Sequence, residues 1–305
     1  MSKLAMSPHI HSGMSTGGIM LDVIIALLPA TVAGVVIFGL NALWVILTCV
    51  LSCVIFEGLF CLLTKKDQTI KDCSAAVTGL LLALNLPAGI PLWQCVVGSL
   101  FAIIVVKCIF GGLGNNLVNP AIASRVFMLV AFSAMTTAAF PVGVDTVASA
   151  TPLANGAEMP NLLTLATGYY GGAIGETCSI ALLIGGIYLL VRRVITWHNP
   201  TFFIATVFVF SFLMEGFDPT MALSKVLCGG VMIGAIFMAT DYVTSPPTPW
   251  GKVIFGIGCG LLTCLIRYFG NLPEGVSYAI LCMNILNPYI MKWTKRKVFG
   301  TGGAQ

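Results

Sequence analysis

Gly79-Leu80-Leu81-Leu82-Ala83-Leu84-Asn85-Leu86-Pro87-Ala88-Gly89-Ile90-Pro91-Leu92-Trp93 is a hydrophobic run interrupted in its middle. It begins as an apolar helix without a charge and stops at Asn85, well short of a bilayer crossing. It then passes two prolines and restarts at Trp93. A proline pushes the residue before it away from helical backbone, so Pro87 and Pro91 make the halt a real break. A second stretch has the same plan: Gly234-Ala-Ile-Phe-Met-Ala-Thr240-Asp241, then Pro246, Pro247, Pro249 and Trp250. Corresponding interrupted helices in two halves of a membrane chain point to a polar site near the bilayer middle. The plainer reading is that proline-rich turns join ordinary hydrophobic spans.

The residues around these two breaks suit a membrane. Of 305 residues, 58% are hydrophobic and only 9% charged, with a mean hydropathy of +0.99. A soluble domain carries about 25% charge, so this is a polytopic, all-helical membrane protein. The net charge of +4 is scattered along the chain and forms no nucleic-acid face. The first apolar run is too long for a signal-peptide core. A crossing takes roughly 20 apolar residues, which predicts ten spans, near 19–40, 42–63, 73–89, 93–110, 126–139, 177–191, 201–216, 225–240, 253–269 and 275–291. If the 126–139 run is half a crossing, the count is nine.

Lys and Arg set the orientation. With the N-terminus inside, thirteen basic residues fall at cytoplasmic ends, including Lys107 and Arg125; only Lys225 and Arg267 fall outside. The predicted layout is a cytoplasmic segment 1–18, a first five-helix repeat 19–139, an outer-face loop 140–176, a second five-helix repeat 177–291 and a cytoplasmic tail 292–305. The first break then faces out and the second in, as an inverted five-plus-five repeat requires. The 140–176 loop holds Asp145, Glu158 and Glu176 and exceeds the length at which a loop is usually functional.

Few residues suit soluble chemistry, and neither a catalytic set nor a metal site is expected. The eleven cysteines include no CxxC pair and lie mostly in apolar runs, where they act as small hydrophobes. His9, His11 and His198 stand near span ends. Gly111-Gly-Leu-Gly-Asn115-Asn116-Leu-Val-Asn119-Pro120 and Gly270-Asn271-Leu-Pro273-Glu274-Gly275 lead into the fifth and tenth spans. Amides and glycines at membrane depth must line a cavity or be buried in protein. Asn85, Asn115, Asn116, Asn119 and Asp241 are therefore the candidates for an ion path. For each Asn, polar glue between helices is the equal alternative. Asp22 and Glu57 rank lower because they lie near span ends where solvation is easy. Glu176 and Glu274 begin spans, where an acid favours the helix N-terminus.

Ser7-Pro-His-Ile-His-Ser-Gly-Met-Ser15-Thr16-Gly-Gly-Ile-Met20, Ala26-Leu-Leu-Pro29, Gly111–Ala121, Gly175-Glu176-Thr177 and Pro273-Glu274-Gly275 together resemble the RnfD/NqrB family, over essentially the whole chain. NqrB-type chains carry a longer extension before the first span, so the resemblance leans to the RnfD side. It implies a ten-helix inverted repeat like that of urea transporters. It also implies a subunit of an ion-translocating ferredoxin:NAD oxidoreductase in the bacterial cytoplasmic membrane, both termini inside. The implied partners are other membrane subunits, a second FMN-bearing subunit, cytoplasmic iron–sulfur and flavin subunits, and Na⁺ or H⁺. Family members carry FMN joined through its phosphate to a threonine in the motif Asp-x-x-Ser/Thr-Gly/Ser-Ala-Thr; some relatives also hold riboflavin. Here the motif reads Asp145-Thr-Val-Ala148-Ser149-Ala150-Thr151, with Ala148 replacing the hydroxyl residue. The resemblance makes Thr151 the attachment residue, with Ser149, Tyr169, Tyr170, Glu176, Arg267 and Glu274 as cofactor-binding candidates. The small residues at 148–150 leave the Thr151 hydroxyl open to a transferase working outside the membrane. An NqrB-like subunit of a Na⁺-pumping quinone reductase, or a flavin-free transporter of the same architecture, are the alternative readings.

Overall fold

The computed structural model describes residues 15–65, 68–136, 139–141, 153, 159–270 and 275–295. Two long apolar helices open the chain, α1 (Thr16–Phe38) and α2 (Leu40–Thr64). At 1.5 Å per residue they run about 35 and 38 Å, enough to cross the roughly 30 Å hydrocarbon layer. Their outward faces carry Leu28, Val32, Val36, Leu51, Ile55 and Leu59, all exposed, as helices bathed in lipid require.

After α2 the helices shorten. α3 (Ser74–Leu84) has only eleven residues, and all but Ala76 are buried. It stops at Asn85, and the chain restarts as α4 (Leu92–Cys108), whose second half, Phe101–Cys108, is π-helical. Then come α5 (Pro120–Ala131), α6 (Leu162–Thr167), α7 (Ser179–Val191) and α8 (His198–Met214). α9 (Pro219–Leu227) and α10 (Val231–Met238) meet at 68°, and α10 turns π-helical from Gly234. α11 (Pro249–Phe269) and α12 (Val276–Trp293) close the fold. Among the described residues three helices are long and apolar enough to cross a membrane, α1, α2 and α11, with the bent α9–α10 pair a fourth.

Local chemistry explains where several helices begin. Asn119, Asp218 and Thr248 each accept a backbone N–H with the side chain, and each is followed by a proline at the first helical position. A polar cap satisfies an orphan N–H, and the proline has none to waste. Two span expectations change for this reason. The 126–139 run begins at Pro120, because Asn119 caps there, and ends at Ala131. The 225–240 run is two helices, because Gly229 takes a left-handed φ of 72° between them. Both proline-rich breaks fall where the sequence places them.

Packing is close where glycine replaces a side chain. α1 lies on α7 at Gly185, where an added Cβ would run into the Ala26 carbonyl oxygen. α2 lies on α3 at Gly79, where the same atom would stand 2.8 Å from the Cys49 carbonyl oxygen. Small residues let helix backbones approach in the absence of a hydrophobic drive between helices. Gly185→Val should therefore lower the unfolding midpoint in detergent, by about 3 kcal/mol of stability or more. Gly89→Val is the control, because nothing stands within 4 Å of its Cβ position. Equal midpoints for the two variants would show that the α1–α7 approach carries no such load.

Candidate functional site

Three polar features lie inside this apolar frame. The first joins Asn85, Arg125 and Glu176. Asn85 caps the C-terminus of α3, Arg125 sits mid-way along α5, and Glu176 lies three residues ahead of α7; all three are buried. The Arg125 guanidinium donates to Asn85 Oδ1 at 2.5 Å and to Glu176 Oε1 at 2.6 Å. Asn85 in turn donates to the Leu81 carbonyl at 2.7 Å, and its Nδ2 is 3.8 Å from Met238 Sδ at the end of α10. Glu176 is held by its backbone: the N–H groups of Ile174 and Gly175 donate to Leu86 and Leu84, the two residues flanking Asn85. The ends of both interrupted helices thus meet beside one charged side chain.

The second feature lies at the other end of α3. Lys107, on the π-helical half of α4, is 1% exposed and donates to Glu57 Oε1 at 2.7 Å and Ser74 Oγ at 2.6 Å. Thr69 Oγ1 also donates to Glu57, and Ser74 donates to Asp72. The third is an open cavity of about 90 Å³, lined by Ser74, Thr78, Asn116, Asn119, Thr240 and Asp241 among others. Asp241 is half-buried, and its carboxylate accepts from the Val243 amide and the Thr244 hydroxyl. Burial pushes this carboxyl up from the ordinary aspartate range, against both of those bonds.

Several expectations change at these sites. Glu176 is not a helix cap at the surface; it is the buried counter-ion of Arg125. Arg125 and Lys107 are buried in ion pairs with Glu176 and Glu57 rather than standing as free charges at span ends; without them the count is eleven against two. Glu57 and Asp22 are not easily solvated, being 2% and 7% exposed, with Asp22 held by Tyr188 and Arg192. The Tyr169–Tyr170 pair divides: Tyr169 is exposed, while buried Tyr170 donates its hydroxyl toward the Glu176 and Leu227 carbonyls. Arg267 donates to the Lys225 and Cys228 carbonyls at the end of α9. Asn119 lines the cavity and caps α5, and its amide approaches the Met238 carbonyl at 3.5 Å. Asn116 lines the cavity too, with its Oδ1 buried and unpartnered among the described residues, whereas Asn115 is exposed. Thr151, Ser149 and Glu274 lie outside the described residues. Leu153 is described, and it packs with Leu165, Tyr170, Leu227 and Cys228. Among the described residues no cluster of His, Cys, Asp or Glu could hold a metal ion.

An all-helical, predominantly apolar fold with long lipid-grade helices and paired charges in its interior defines a multi-pass membrane protein. Residues 3–300 match the model of the NQR2, RnfD, RnfE family, and the chain belongs to that family. The chain is 48% identical over 302 residues to the D subunit of the Na(+)-translocating ferredoxin:NAD(+) oxidoreductase complex of Acetobacterium woodii, covering 96% of this chain and 94% of that one. It is 40% identical over 320 residues to the D subunit of the proton-translocating ferredoxin:NAD(+) oxidoreductase complex of Clostridium ljungdahlii, covering 98% and 96%. To the D subunit of the ion-translocating oxidoreductase complex of Escherichia coli K12 it is 34% identical over 345 residues, covering 98% of both.

Ranking charges by their distance from a span end passes over Arg125, Lys107 and Glu57. The usable signal is their rarity: a basic residue inside an apolar run must find a buried acid. Removing one partner of a buried pair leaves the other uncompensated, at a cost of about 3–5 kcal/mol. Lys107→Met should accordingly lower the unfolding midpoint sharply, and adding Glu57→Gln to it should recover most of the loss. A double variant no more stable than Lys107→Met would show that the pair does not act as a unit.

Proposed function

We propose that this chain is the D-type membrane subunit of a bacterial complex that passes electrons between ferredoxin and NAD and uses them to move Na⁺ or H⁺. The observation that carries the reading is the match along nearly the full length of relatives bearing those names. One of these relatives is named for Na⁺ and another for protons, so the ion is left open between the two. The other subunits of the complex are the partners, and the exposed apolar faces of α1 and α2 suit lipid or a neighbouring membrane subunit.

The subunit carries FMN joined through phosphate to the Thr151 hydroxyl. Leu153 supports this. A Cβ on Gly229 would meet Leu153 Cδ1 at 2.7 Å and Arg267 Nη2 at 3.0 Å, so the chain is seated beside a guanidinium. Arg267, beside Leu153, carries a charge of the sign that offsets phosphate, and Tyr169 offers an exposed ring face. When bound, FMN supplies a carrier that exchanges one electron or two, while the protein supplies position and electrostatics. Asp241 and the cavity beside it form the ion's entry.

Ten crossings in an inverted five-plus-five repeat are the architecture that best accounts for the helix partners. α2 packs on α3 and α4 as α8 packs on α10 and α11; α5 packs on α3 and α4 as α12 packs on α10 and α11. The termini are cytoplasmic and the 140–176 loop is on the outer face.

Intact-mass measurement of the chain from its native complex should show one FMN added, and the gel band should fluoresce under ultraviolet light. Thr151→Ala made in the same host should lose both signals; retained fluorescence removes Thr151 as the attachment residue. Asp241→Asn should reduce ion transport by about tenfold or more and leave flavin attachment unchanged. Equal loss of both, or of neither, argues against Asp241 as the entry.

A further inference from the structure

Arg125 has a place in the fold that neither cofactor attachment nor ion entry uses. One face of α3, Ser74, Val77, Thr78 and Leu81, lines the cavity that also holds Asp241. Asn85 is the next residue along that face, one turn past Leu81, and it is 1% exposed. Beyond Asn85 comes the Arg125 guanidinium, and beyond that Glu176. The backbone carbonyl of Glu176 accepts from Tyr170, which packs in the cluster with Leu153. Asn85, Arg125 and Glu176 thus form a continuous chain of contacts between the α3 wall of the Asp241 cavity and the Leu153 cluster.

The groups around the guanidinium are those that would bind a small cation. Asn85 Oδ1 and Glu176 Oε1 are oxygen acceptors, and the C-terminus of α3 presents the negative end of a helix. Beside Glu176, the Thr177 hydroxyl is fully buried with no partner among the described residues. We propose that Arg125 is a tethered cation occupying a cation site built from Asn85 and Glu176, so that it plugs the route between the Asp241 cavity and the Leu153 face. A transported ion passes only when the guanidinium is displaced. Arg125 thereby keeps the complex tight to ions when no electrons flow. The proposal rests on the ion-pump reading for its purpose, but its test does not.

The complex, reconstituted in liposomes without electron donor, is assayed for passive ²²Na⁺ and proton entry. Arg125→Ala should leak at least about tenfold faster than the unaltered complex, because a fixed charge has left a buried site. Millimolar guanidinium should close the leak by refilling the vacated site, while tetramethylammonium, of equal charge but without N–H donors, should not. Arg125→Lys should leak less than Arg125→Ala. A tight Arg125→Ala complex, or a leak indifferent to guanidinium, overturns the plug. Should Arg125→Ala not assemble, Asn85→Asp decides: a second carboxylate must hold the guanidinium harder and slow donor-driven uptake by about tenfold. Unchanged uptake in that variant overturns the proposal. Because passive entry needs no donor, a tight Arg125→Ala complex defeats the plug alone, and an unaltered complex that moves no ion when given donor defeats the pump alone.

Discussion

A guanidinium inside a membrane protein cannot stand without oxygen acceptors, and the arrangement around Arg125 follows from that constraint. Burying an unpaired charge is far costlier than burying a pair. The sequence meets the demand by ending α3 at Asn85, whose side-chain oxygen accepts from Arg125 on α5. The segment before α7 meets it a second time. Ile174 and Gly175 dock by backbone hydrogen bonds onto the end of α3, which delivers the Glu176 carboxylate to the same guanidinium. Gly175 has to be glycine for this approach, since a Cβ would stand 2.5 Å from Leu84 Cβ. The break in the helix, the docked segment and the ion pair are thus one device.

Much of the fold is legible in the sequence because its signals are local. The stops at Asn85 and just before Thr240 follow from polar residues and nearby prolines: α3 ends at Leu84 and α10 at Met238. Asn119-Pro120 and Thr248-Pro249 are local capping signals, although the first starts a helix where hydropathy alone suggests a lead-in. The bend at Gly229 escapes a hydropathy reading, which averages over a window that a single left-handed residue does not lower. The buried pairs escape it for a different reason. Lys107 and Glu57 are separated by 50 positions, as Arg125 and Glu176 are by 51, and pairing across such distances is a property of packing. The Asp145–Thr151 stretch, which lies outside the described residues, reads as a flavin-attachment motif only through likeness to a family.

The two ion pairs also define α3 as a rigid element. At eleven residues it is about 16 Å long, too short to span, yet it is anchored at both ends. At its N-terminus Lys107 meets Ser74, where the helix dipole disfavours a cation; Glu57 offsets that cost by accepting from Lys107, and Asp72 adds a second carboxylate through Ser74. At its C-terminus Arg125 meets Asn85, where the dipole favours a cation. The end needing extra acid has two carboxylates, and the end that the dipole assists has one. Sliding α3 along its axis would break both sets at once.

This fixity is what lets a short helix form the wall of a polar cavity. A segment that lines space in a low-dielectric interior loses packing on one side, and α3 does so along Ser74, Thr78 and Leu81. Close approach to α2 through Gly79 restores contact on the opposite side, and the charge clusters secure the ends. The cavity can then stay open without the helix collapsing into it. α10 faces the same cavity with Phe237 and is secured in a comparable way: Asn119 and Asn199 donate to the carbonyls of Met238 and Ala239 at its end. Two short helices, each tied at the break by side chains from a neighbouring element, hold apart a space that two continuous apolar spans would close by packing against each other.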